Sequence, residues 1–384
     1  MLKPDWLIGG PVAKALTILN EGGHEAFVVG GAVRNALLHR PVKDFDIATS
    51  ALPEDVERVF QGKARIVPTG IEHGTMTVVM GTAAIEVTTF RKDVETDGRR
   101  AVVAFSTSIE DDAQRRDFTM NAIYLDRNGV IADPVGGVAD VKNRILRFIG
   151  RPDDRIQEDY LRSLRFFRLF AEYGDPSKGF DPDAVAAIAD NLDGLRRLSI
   201  ERVTSEIMML LNAPDPSFAI AGMESTGALA VILPGAMTSV FFELVHLETE
   251  TGTGPDPIRR LAALVRETGL RLSNKERRRF ETVHELKVAT TGLSEVAWRY
   301  DAGIAKDVSL LRAAGLSAPY NQNSVDIEIA RGAQASFPIS ATDLMPALSG
   351  PELGAALDRA TELWIASDFT LDRDALLSLV AQKG

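Results

Sequence analysis

Two short motifs decide the fold: Gly30-Gly31-Ala32-Val33-Arg34 and, beginning ten residues beyond Arg34, Asp44-Phe45-Asp46-Ile47-Ala48-Thr49. The apolar run before the first motif, residues 26–29, predicts a strand, and Ala32–His39 predicts a helix. Glycines between a strand and a helix let the backbone approach a ligand closely, and the free N–H groups that begin a helix favour phosphate. Arg34 adds a charged fork one turn later. We therefore predict that Gly30, Gly31 and Arg34 bind phosphate, with a purely structural turn as the alternative.

The second motif alternates polar and apolar residues, which predicts a half-buried strand. Asp44 and Asp46 would point to the same face of that strand, where two carboxylates repel each other unless a cation lies between them. Carboxylate oxygens suit Mg²⁺, which also binds substrate phosphates, and paired metal ions catalyse nucleotidyl transfer. Glu86 lies on a further predicted strand and is a candidate third carboxylate. An exposed glutamate with no catalytic role is the alternative for that position.

The composition is that of an average soluble protein of two or three domains, with 384 residues, 45% of them hydrophobic and 25% charged. These values exclude a disordered, collagen-like or coiled-coil chain. The absence of cysteine excludes disulfides, thiol catalysis and cysteine-built zinc sites. No apolar run approaches the roughly 20 residues of a membrane helix, and no basic segment followed by an apolar one begins the chain. We therefore expect a cytoplasmic protein that does not enter a membrane.

The net charge of −11 argues against a general nucleic-acid binder. The basic residues are nevertheless clustered, because residues 141–170 hold eight Lys/Arg against four acidic residues. A second cluster consists of Lys275, Arg277, Arg278 and Arg279. We predict that this second cluster contacts an RNA backbone, with a solvated helix face as the alternative.

The pattern along the chain predicts an α+β protein. Residues 1–140 read as a mixed sheet with helices, including a hairpin in which 118–125 and 130–132 flank Asn128-Gly129. Helical patterns dominate from about residue 140, and we divide this part into domains 141–213 and 214–384. The predicted helices include 158–173, 183–192, 200–212, 217–229, 256–268, 274–288, 297–314, 351–366 and 372–382.

The predicted helix 158–173 carries residues suited to reading a base. Asp159 and Arg162 are three residues apart and would share one helix face. A carboxylate accepts a hydrogen bond and a guanidinium donates two, which matches the amino group and ring nitrogen of cytosine and adenine but not guanine or uracil. Arg165 and Arg168 extend this face towards the triphosphate or the base. A ladder of ion pairs on a solvated helix is the alternative.

Five ordered motifs resemble those of the class II CCA-adding enzymes and bacterial poly(A) polymerases, within the polymerase-β nucleotidyltransferase superfamily. They cover residues 30–49, 69–75, 115–122, 158–168 and 198–206. The tail segment 343–354 is also similar. Three positions depart from the family pattern. Asn35 stands where aspartate is usual, His39 stands where glycine is usual, and Arg151 stands where an acidic residue often precedes the proline. We expect these departures to tune the site rather than abolish it.

The resemblance implies a polymerase-β-like nucleotidyltransferase head followed by an all-α neck, body and tail. It further implies a Mg²⁺-dependent, template-independent enzyme that adds C, C and A to tRNA 3′ ends from CTP and ATP and releases pyrophosphate. Arg115, Arg116, Asp117 and Asn121 would bind the nucleotide and its ribose; ion pairing at a strand end is the structural alternative. The expected partners are tRNA, CTP and ATP, with no obligate protein partner.

Three other functions remain open on sequence grounds. A poly(A) polymerase would share the head and neck. A C-only or A-only tRNA nucleotidyltransferase would differ in the hinge and loops that decide the switch from C to A. A non-catalytic RNA-binding protein could retain the fold, although the presence of both Asp44 and Asp46 argues against it.

Overall fold

The computed structural model describes residues 1–71, 74–96, 101–345 and 347–381. His73, in the predicted motif 69–75, lies outside these ranges. The chain divides into two compact units, residues 1–234 and 235–384. Both of the predicted domain boundaries, after residues 140 and 213, fall inside the first unit.

The first unit contains the sheet. Its strands are β1 (Ala26–Val29), β2 (Asp46–Thr49), β3 (Arg65–Gly70), β4 (Thr75–Met80), β5 (Ala83–Thr89), β6 (Arg91–Thr96), β7 (Ala101–Phe105), β8 (Tyr124–Leu125) and β9 (Ile131–Ala132). Seven of them form one mixed sheet in the order β3-β4-β5-β2-β1-β8-β9, and β6 pairs with β7 separately. The β2–β5 pairing is parallel and the other pairings in the large sheet are antiparallel.

The side-chain pattern of the central strands decides which residues face the core. In β5, buried Ile85 and Val87 alternate with exposed Ala84 and Glu86, as the two-residue period of a strand requires. In β2, Asp46 is exposed at the start of the strand and the next three residues are buried. Burial of alternate residues therefore sets the register of β2 against β5. In that register Asp46 and Glu86 lie side by side at the exposed start of β2.

Helices cover the sheet and continue beyond it within the first unit. They are α1 (Asp5–Ile8), α2 (Pro11–Glu21), α3 (Gly31–Leu37), α4 (Pro53–Phe60), α5 (Ile109–Gln114), α6 (Gly137–Asn143), α7 (Pro152–Glu158), α8 (Leu161–Tyr173), α9 (Pro182–Asp190), α10 (Leu192–Leu195), α11 (Ile200–Leu211), α12 (Ser217–Ser225) and α13 (Ala228–Ile232).

The predicted hairpin around Asn128-Gly129 is confirmed by the antiparallel pairing of β8 with β9. Its first strand is shorter than predicted, because Thr119–Asn121 forms a 3₁₀ turn and only Tyr124–Leu125 is extended within the sheet. Phe118 instead bridges to Phe148, and their rings lie 4.7 Å apart between centroids. This turn is what carries Asn121 towards the glycine motif.

The predicted continuous helix 158–173 is wrong, because the helix is interrupted at Asp159 and Tyr160. Asp159 adopts an extended conformation (φ −155°, ψ 101°), and its Oδ1 accepts the N–H of Leu161 at 3.2 Å. Its carbonyl oxygen accepts the N–H of Arg162 at 2.9 Å. Asp159 therefore ends α7 and satisfies free N–H groups at the beginning of α8, a role that aspartate commonly plays at helix starts.

The second unit is wholly helical in the described residues. Its helices are α14 (Thr238–Glu250), α15 (Pro257–Leu264), α16 (Asn274–Val288), α17 (Leu293–Arg299), α18 (Ala302–Leu316), α19 (Gln322–Gln334), α20 (Ala341–Leu344), α21 (Gly350–Ala366) and α22 (Arg373–Ala381). The predicted α+β organisation, a mixed-sheet head followed by helices, is thus confirmed. In the described ranges, no helix has the length and hydrophobicity needed to cross a membrane.

A close contact fixes the turn that carries Asn121. A Cβ added to Gly137, the first residue of α6, would lie 2.1 Å from the carbonyl oxygen of Thr119. The same turn is also held by a 2.6 Å hydrogen bond from the Thr119 hydroxyl to Asp140. The absence of a side chain at Gly137 is therefore required for α6 to pack against the turn.

We predict that Gly137→Ala lowers the free energy of unfolding by about 1–3 kcal/mol, because the added methyl group forces the backbone apart. Denaturant unfolding followed by circular dichroism measures this change. Gly9→Ala is the matched control, since nothing lies within 4 Å of a Cβ there and the backbone is extended. Equal stability of the two variants would contradict the packing argument.

Candidate active site

Three carboxylates lie around the start of β2. Asp46 is the first residue of β2 and pairs in register with Glu86 on β5. Asp44 precedes the strand by two residues, so the predicted strand begins two residues later than expected. All three side chains are exposed. The structure therefore brings Glu86 beside Asp46, as the sequence suggested, and leaves this acidic group open to solvent.

The electrostatics of Asp46 reflect this crowding. Burial of part of the carboxyl group raises its pKa, and the negative charges of Glu86 and Asp44 raise it further, while Arg116 opposes them. Ionised Asp46 is thus less favourable in the folded protein than in an unfolded chain. A cation bound among these oxygens would relieve the excess negative charge.

The donor set fits a hard divalent cation. Within the described residues, no three acidic or histidine side chains converge as a ready-made metal cage. Mg²⁺ is usually held by one or two carboxylates together with substrate phosphates and water, rather than by a cage built only from protein. Asp44 and Asp46 supply oxygen ligands of this kind at an exposed edge, where phosphate oxygens can complete the coordination.

The glycine turn lies next to the carboxylates because Val29, the last residue of β1, pairs with Asp46. Gly30 follows with φ +75° and ψ −129°, a conformation that strains residues with a Cβ. A Cβ there would lie 3.6 Å from the carbonyl oxygen of Asn121 and 4.0 Å from Nη1 of Arg116. The turn, the acidic group and Arg116 therefore form one continuous site.

Arg116 is fixed by residues that the sequence did not single out as functional. Its Nε and Nη2 donate to Asp112 at 3.1 and 2.9 Å, and Nε also donates to the Tyr124 hydroxyl at 3.0 Å. Burial disfavours the guanidinium, but Asp112 and Tyr124 outweigh burial and raise its pKa. The i, i+4 spacing of Asp112 and Arg116 was the available sequence signal for this pair.

Arg34 is buried, whereas an arginine that binds phosphate at the protein surface would be exposed. Its Nη1 donates to Oδ1 of Asn121, and its Nη2 donates to the Tyr173 hydroxyl at 2.9 Å. A Cβ on Gly31 would lie 3.4 Å from the same Nη2, so the guanidinium lies directly behind the turn. Burial lowers the pKa of Arg34, partly offset by Tyr173 and Glu172.

Asp117 and Arg165 join the head to α8. Nε and Nη2 of Arg165 donate to Oδ2 of Asp117 at 2.8 and 2.6 Å, and the Asn121 amide donates to the other oxygen at 3.0 Å. Burial would raise the pKa of Asp117, but Arg165, Asn121 and the N–H of Phe118 hold it below its usual range.

Asp159 and Arg162, the predicted base-reading pair, are not joined by an ion pair between their side chains in the described structure. Asp159 accepts from Arg202 on α11 at 2.7 Å. Arg162 donates to Glu158, and also to the carbonyl oxygens of Arg155 (3.0 Å) and Arg115 (3.2 Å). The predicted shared face is therefore replaced by two separate sets of contacts, because the helix break turns Asp159 towards α11.

Arg168 belongs to a further ion-pair group on α8 and α11. Its Nε donates to Glu206 at 2.6 Å, and its Nη1 lies 3.6 Å from Glu172. Arg165 also lies 3.6 Å from Glu206, which is buried. Arg165 and Arg168 are thus engaged with acidic residues of the head and neck in this structure.

The basic cluster of the second unit is split by its contacts. Arg279 donates to Asp256 at 2.7 Å and to Asp307 at 2.5 Å, so its charge is compensated within the fold. The other three side chains are exposed on α16. We call Lys275, Arg277 and Arg278 the α16 basic face, and the structure assigns Arg279 an internal role instead.

Comparison with known proteins identifies the family. Residues 26–147 match the family described as "Poly A polymerase head domain", and residues 179–239 match "Probable RNA and SrmB- binding site of polymerase A". The mouse mitochondrial CCA tRNA nucleotidyltransferase 1 is 32% identical over 387 aligned positions, which cover 96% of this chain and 89% of the mouse protein. The chain belongs to the CCA tRNA nucleotidyltransferase family. It is therefore a nucleotidyltransferase, and the predicted class of enzyme is confirmed.

Further relatives agree with this membership. The CCA-adding enzyme of Geobacillus stearothermophilus is 43% identical over 230 residues, 59% of this chain and 55% of that protein. The crystal structure of the Bacillus stearothermophilus CCA-adding enzyme in complex with CTP has a TM-score of 0.72 at 29% identity, covering 97% of this chain and 96% of that one. The Thermotoga maritima CCA-adding enzyme complexed with tRNA has a TM-score of 0.72 at 16% identity, covering 98% and 97%, a likeness in fold alone.

We predict that Asp46→Asn raises the midpoint of thermal unfolding at pH 7 in metal-free buffer. The pKa of Asp46 is raised in the folded state, so its ionised form destabilises the fold at neutral pH. The gain should vanish as the pH falls below the ordinary range of aspartate, where the carboxyl group is protonated in both states. Scanning calorimetry across this pH range measures the effect.

Asp55→Asn on α4 is the control for that measurement, because Asp55 accepts from Arg58 at 2.5 Å and no stabilisation is expected from its loss. Addition of a divalent cation should stabilise the wild-type protein and not Asp46→Asn, since a ligand that binds only the folded state raises its stability. An unchanged midpoint for Asp46→Asn would contradict the raised pKa of Asp46, to which burial contributes most, followed by repulsion from Glu86 and Asp44.

Proposed function

We propose that this protein adds C, C and A to tRNA 3′ ends, using CTP and ATP and releasing pyrophosphate. The observation that carries the proposal is the acidic group of Asp44, Asp46 and Glu86 beside the glycine turn and Arg116. Membership of the family supports the same reaction, as does the match over nearly the whole chain to an enzyme crystallised with CTP.

In the proposed reaction, the RNA 3′-hydroxyl oxygen attacks the α-phosphorus, the new O3′–P bond forms, and the bond to the β-phosphate oxygen breaks. Asp44 and Asp46 would hold Mg²⁺, with Glu86 beside them. When bound, Mg²⁺ supplies the charge that activates the hydroxyl group and stabilises the leaving pyrophosphate. The N–H groups of Gly30 and Gly31 would hold the triphosphate.

Arg116 would stabilise the charge that develops on the leaving pyrophosphate. Asp112 and Tyr124 hold its guanidinium in place before the nucleotide arrives, and groups fixed in advance stabilise a transition state without reorganising during the reaction. We infer that Arg115 and Asn121 contact the sugar. Asp117 would act by orienting Asn121 and Arg165, to which it is hydrogen-bonded.

For base reading, we infer that the incoming base displaces existing contacts. Asp159 would leave Arg202 and accept the amino group of cytosine or adenine, while Arg162 would leave Glu158 and donate to the ring nitrogen. A guanine or uracil base would leave these groups mispaired at a cost of roughly 1–3 kcal/mol each. Arg165 and Arg168 would support this pair and the triphosphate from the same helix.

For RNA binding, we propose that the α16 basic face contacts the tRNA backbone. Its three side chains are exposed, and Arg279 beside them is engaged with Asp256 and Asp307. We also propose that the protein acts in the cytoplasm, where tRNA is processed and used.

The deciding experiment gives the purified protein a tRNA that lacks its last three nucleotides, with each NTP singly and all together in Mg²⁺, followed by sequencing of the products. We expect two C residues and then one A. A long A tract would favour a poly(A) polymerase, and C without A or A without C would favour a split enzyme. No extension at all would favour a non-catalytic RNA-binding protein.

We predict that Asp44→Ala loses incorporation by at least a thousandfold and keeps tRNA binding within about twofold, because it removes a proposed metal ligand and leaves the α16 basic face unchanged. Asp55→Ala, at a half-buried aspartate of α4 in the first unit, is the control and should remain active. Substantial turnover by Asp44→Ala in Mg²⁺ would overturn the metal assignment.

We predict that replacing the α16 basic face by three alanines weakens tRNA binding and lowers the slope of log Kd against log salt by about 2–3, since each lost phosphate contact removes nearly one unit. Filter binding between about 50 and 200 mM salt measures the slope. A triple variant at Lys14, Lys63 and Arg359, also exposed, removes the same charge elsewhere. Equal slopes for both variants would contradict a specific contact at α16.

A further inference from the structure

The C-terminal end of α8 is held by an unusual aromatic contact. Tyr173 is the last residue of α8 and is 7% exposed. The guanidinium carbon of Arg34 lies 3.9 Å from the centre of its ring, and that of Arg40 lies 4.9 Å from it. Two cations from one segment therefore contact one ring, an attraction that strengthens when water is excluded.

Hydrogen bonds orient both arginines relative to the end of α8. Nη2 of Arg34 donates to the Tyr173 hydroxyl at 2.9 Å, and Nη1 of Arg40 donates to the carbonyl oxygen of Glu172 at 2.8 Å. Arg34 is buried and, in the described structure, forms no ion pair with a carboxylate. The Tyr173 side chain is thus a principal partner of a buried cation that lies behind the glycine turn.

A chain of hydrogen bonds also connects Arg34 to α8 at a second point. Nη1 of Arg34 donates to Asn121, the amide of Asn121 donates to Asp117 at 3.0 Å, and Asp117 accepts from Arg165 at 2.6 and 2.8 Å. Arg165 and Tyr173 are eight residues apart on α8, about 12 Å along the helix axis. The helix is therefore tied to Arg34 at two points, which restricts both its position and its tilt.

We propose that Tyr173 is a positioning residue that sets α8 relative to the glycine turn and thereby determines how well the enzyme selects its nucleotide. The inference rests on the proposed function, because it takes the turn as the phosphate site and the start of α8 as the base site. A nucleotide spans both, so its affinity and base selectivity depend on the distance between them. Among the described residues, the polar contacts of the Tyr173 side chain are with Arg34 and Arg40, and none is with Asp44 or Asp46.

The test uses two substitutions that remove the contact in steps. Tyr173→Phe keeps the ring between the two arginines and removes only the hydroxyl group that accepts from Arg34. Tyr173→Leu removes both the ring and the hydroxyl group. Phe170→Leu is the matched control, because Phe170 is buried on the same helix and packs against the rings of Phe180 and Phe218.

We expect the Kd for CTP and ATP to rise about threefold in Tyr173→Phe and at least tenfold in Tyr173→Leu, measured by calorimetry on the full chain. Incorporation of CTP relative to UTP should fall in the same order, while kcat with CTP changes by less than about twofold in Tyr173→Phe. Phe170→Leu should lower the unfolding midpoint without changing the Kd or the CTP-to-UTP ratio.

The outcomes separate this inference from the proposed function. Wild-type Kd values and selectivity in both Tyr173 variants would overturn the positioning role, even if CCA addition is normal. Wild-type protein that binds CTP without extending tRNA would overturn the proposed function, while the Kd series still decides the role of Tyr173. If Tyr173→Leu does not fold, Tyr173→Phe alone decides it. Failure of the wild-type protein to bind any nucleotide would overturn both.

Discussion

Repulsion between Asp46 and its acidic neighbours is the constraint on which the proposed chemistry depends. The register of β2 against β5 places Glu86 beside Asp46, and the pairing of β1 with β2 brings the glycine turn to the same end of the sheet. This geometry comes from the buried faces of the strands, so the fold itself stabilises an arrangement that the charges oppose. In the proposed function, a bound cation and triphosphate would relieve that repulsion, and the relief would add to their affinity.

The surrounding arginines differ in how their charge is compensated. Arg116 is paired with Asp112 and Tyr124, and Arg165 is paired with Asp117, so both retain full charge despite burial. Arg34 instead depends on Tyr173, Asn121 and partial help from Glu172. A lysine could replace none of them, because each uses two or more donors of a planar group at once. These contacts therefore fix the orientation of all three guanidinium groups within the fold.

Sequence patterns predicted most of the local structure. The strand ending at Gly30 is confirmed, and so is helix 274–288, because a capping box of Ser273 with Glu276 marks its start. Helices 238–250 and 322–334 were not predicted. The predicted strand 118–125 is only partly confirmed, since packing of Phe118 against Phe148 turns the chain first. Local patterns thus predicted most of the elements named here, whereas tertiary contacts decide at which residue an element begins or ends.

The partners of charged residues could not be predicted from sequence spacing. Asp159 contacts Arg202, which is 43 residues away, and Arg165 contacts Asp117, which is 48 residues away. Spacing along one helix favours nearby pairs such as Glu158 with Arg162, which does form, but it gives no information on pairs between elements. The residue types of the site were therefore predictable, whereas the network that orients them required the fold.

Under the proposed base reading, this network would also explain how one site can admit two bases. Asp159 and Arg162 are already hydrogen-bonded to Arg202 and Glu158. A correct base would replace these partners, while half-exposed Arg202 returns to water and Glu158 keeps Arg155. An incorrect base breaks the existing contacts without replacing them, and the loss counts fully against it because these groups lie partly out of water. Selectivity then depends on the existing contacts as much as on the new ones, which ties base choice to the position of α8.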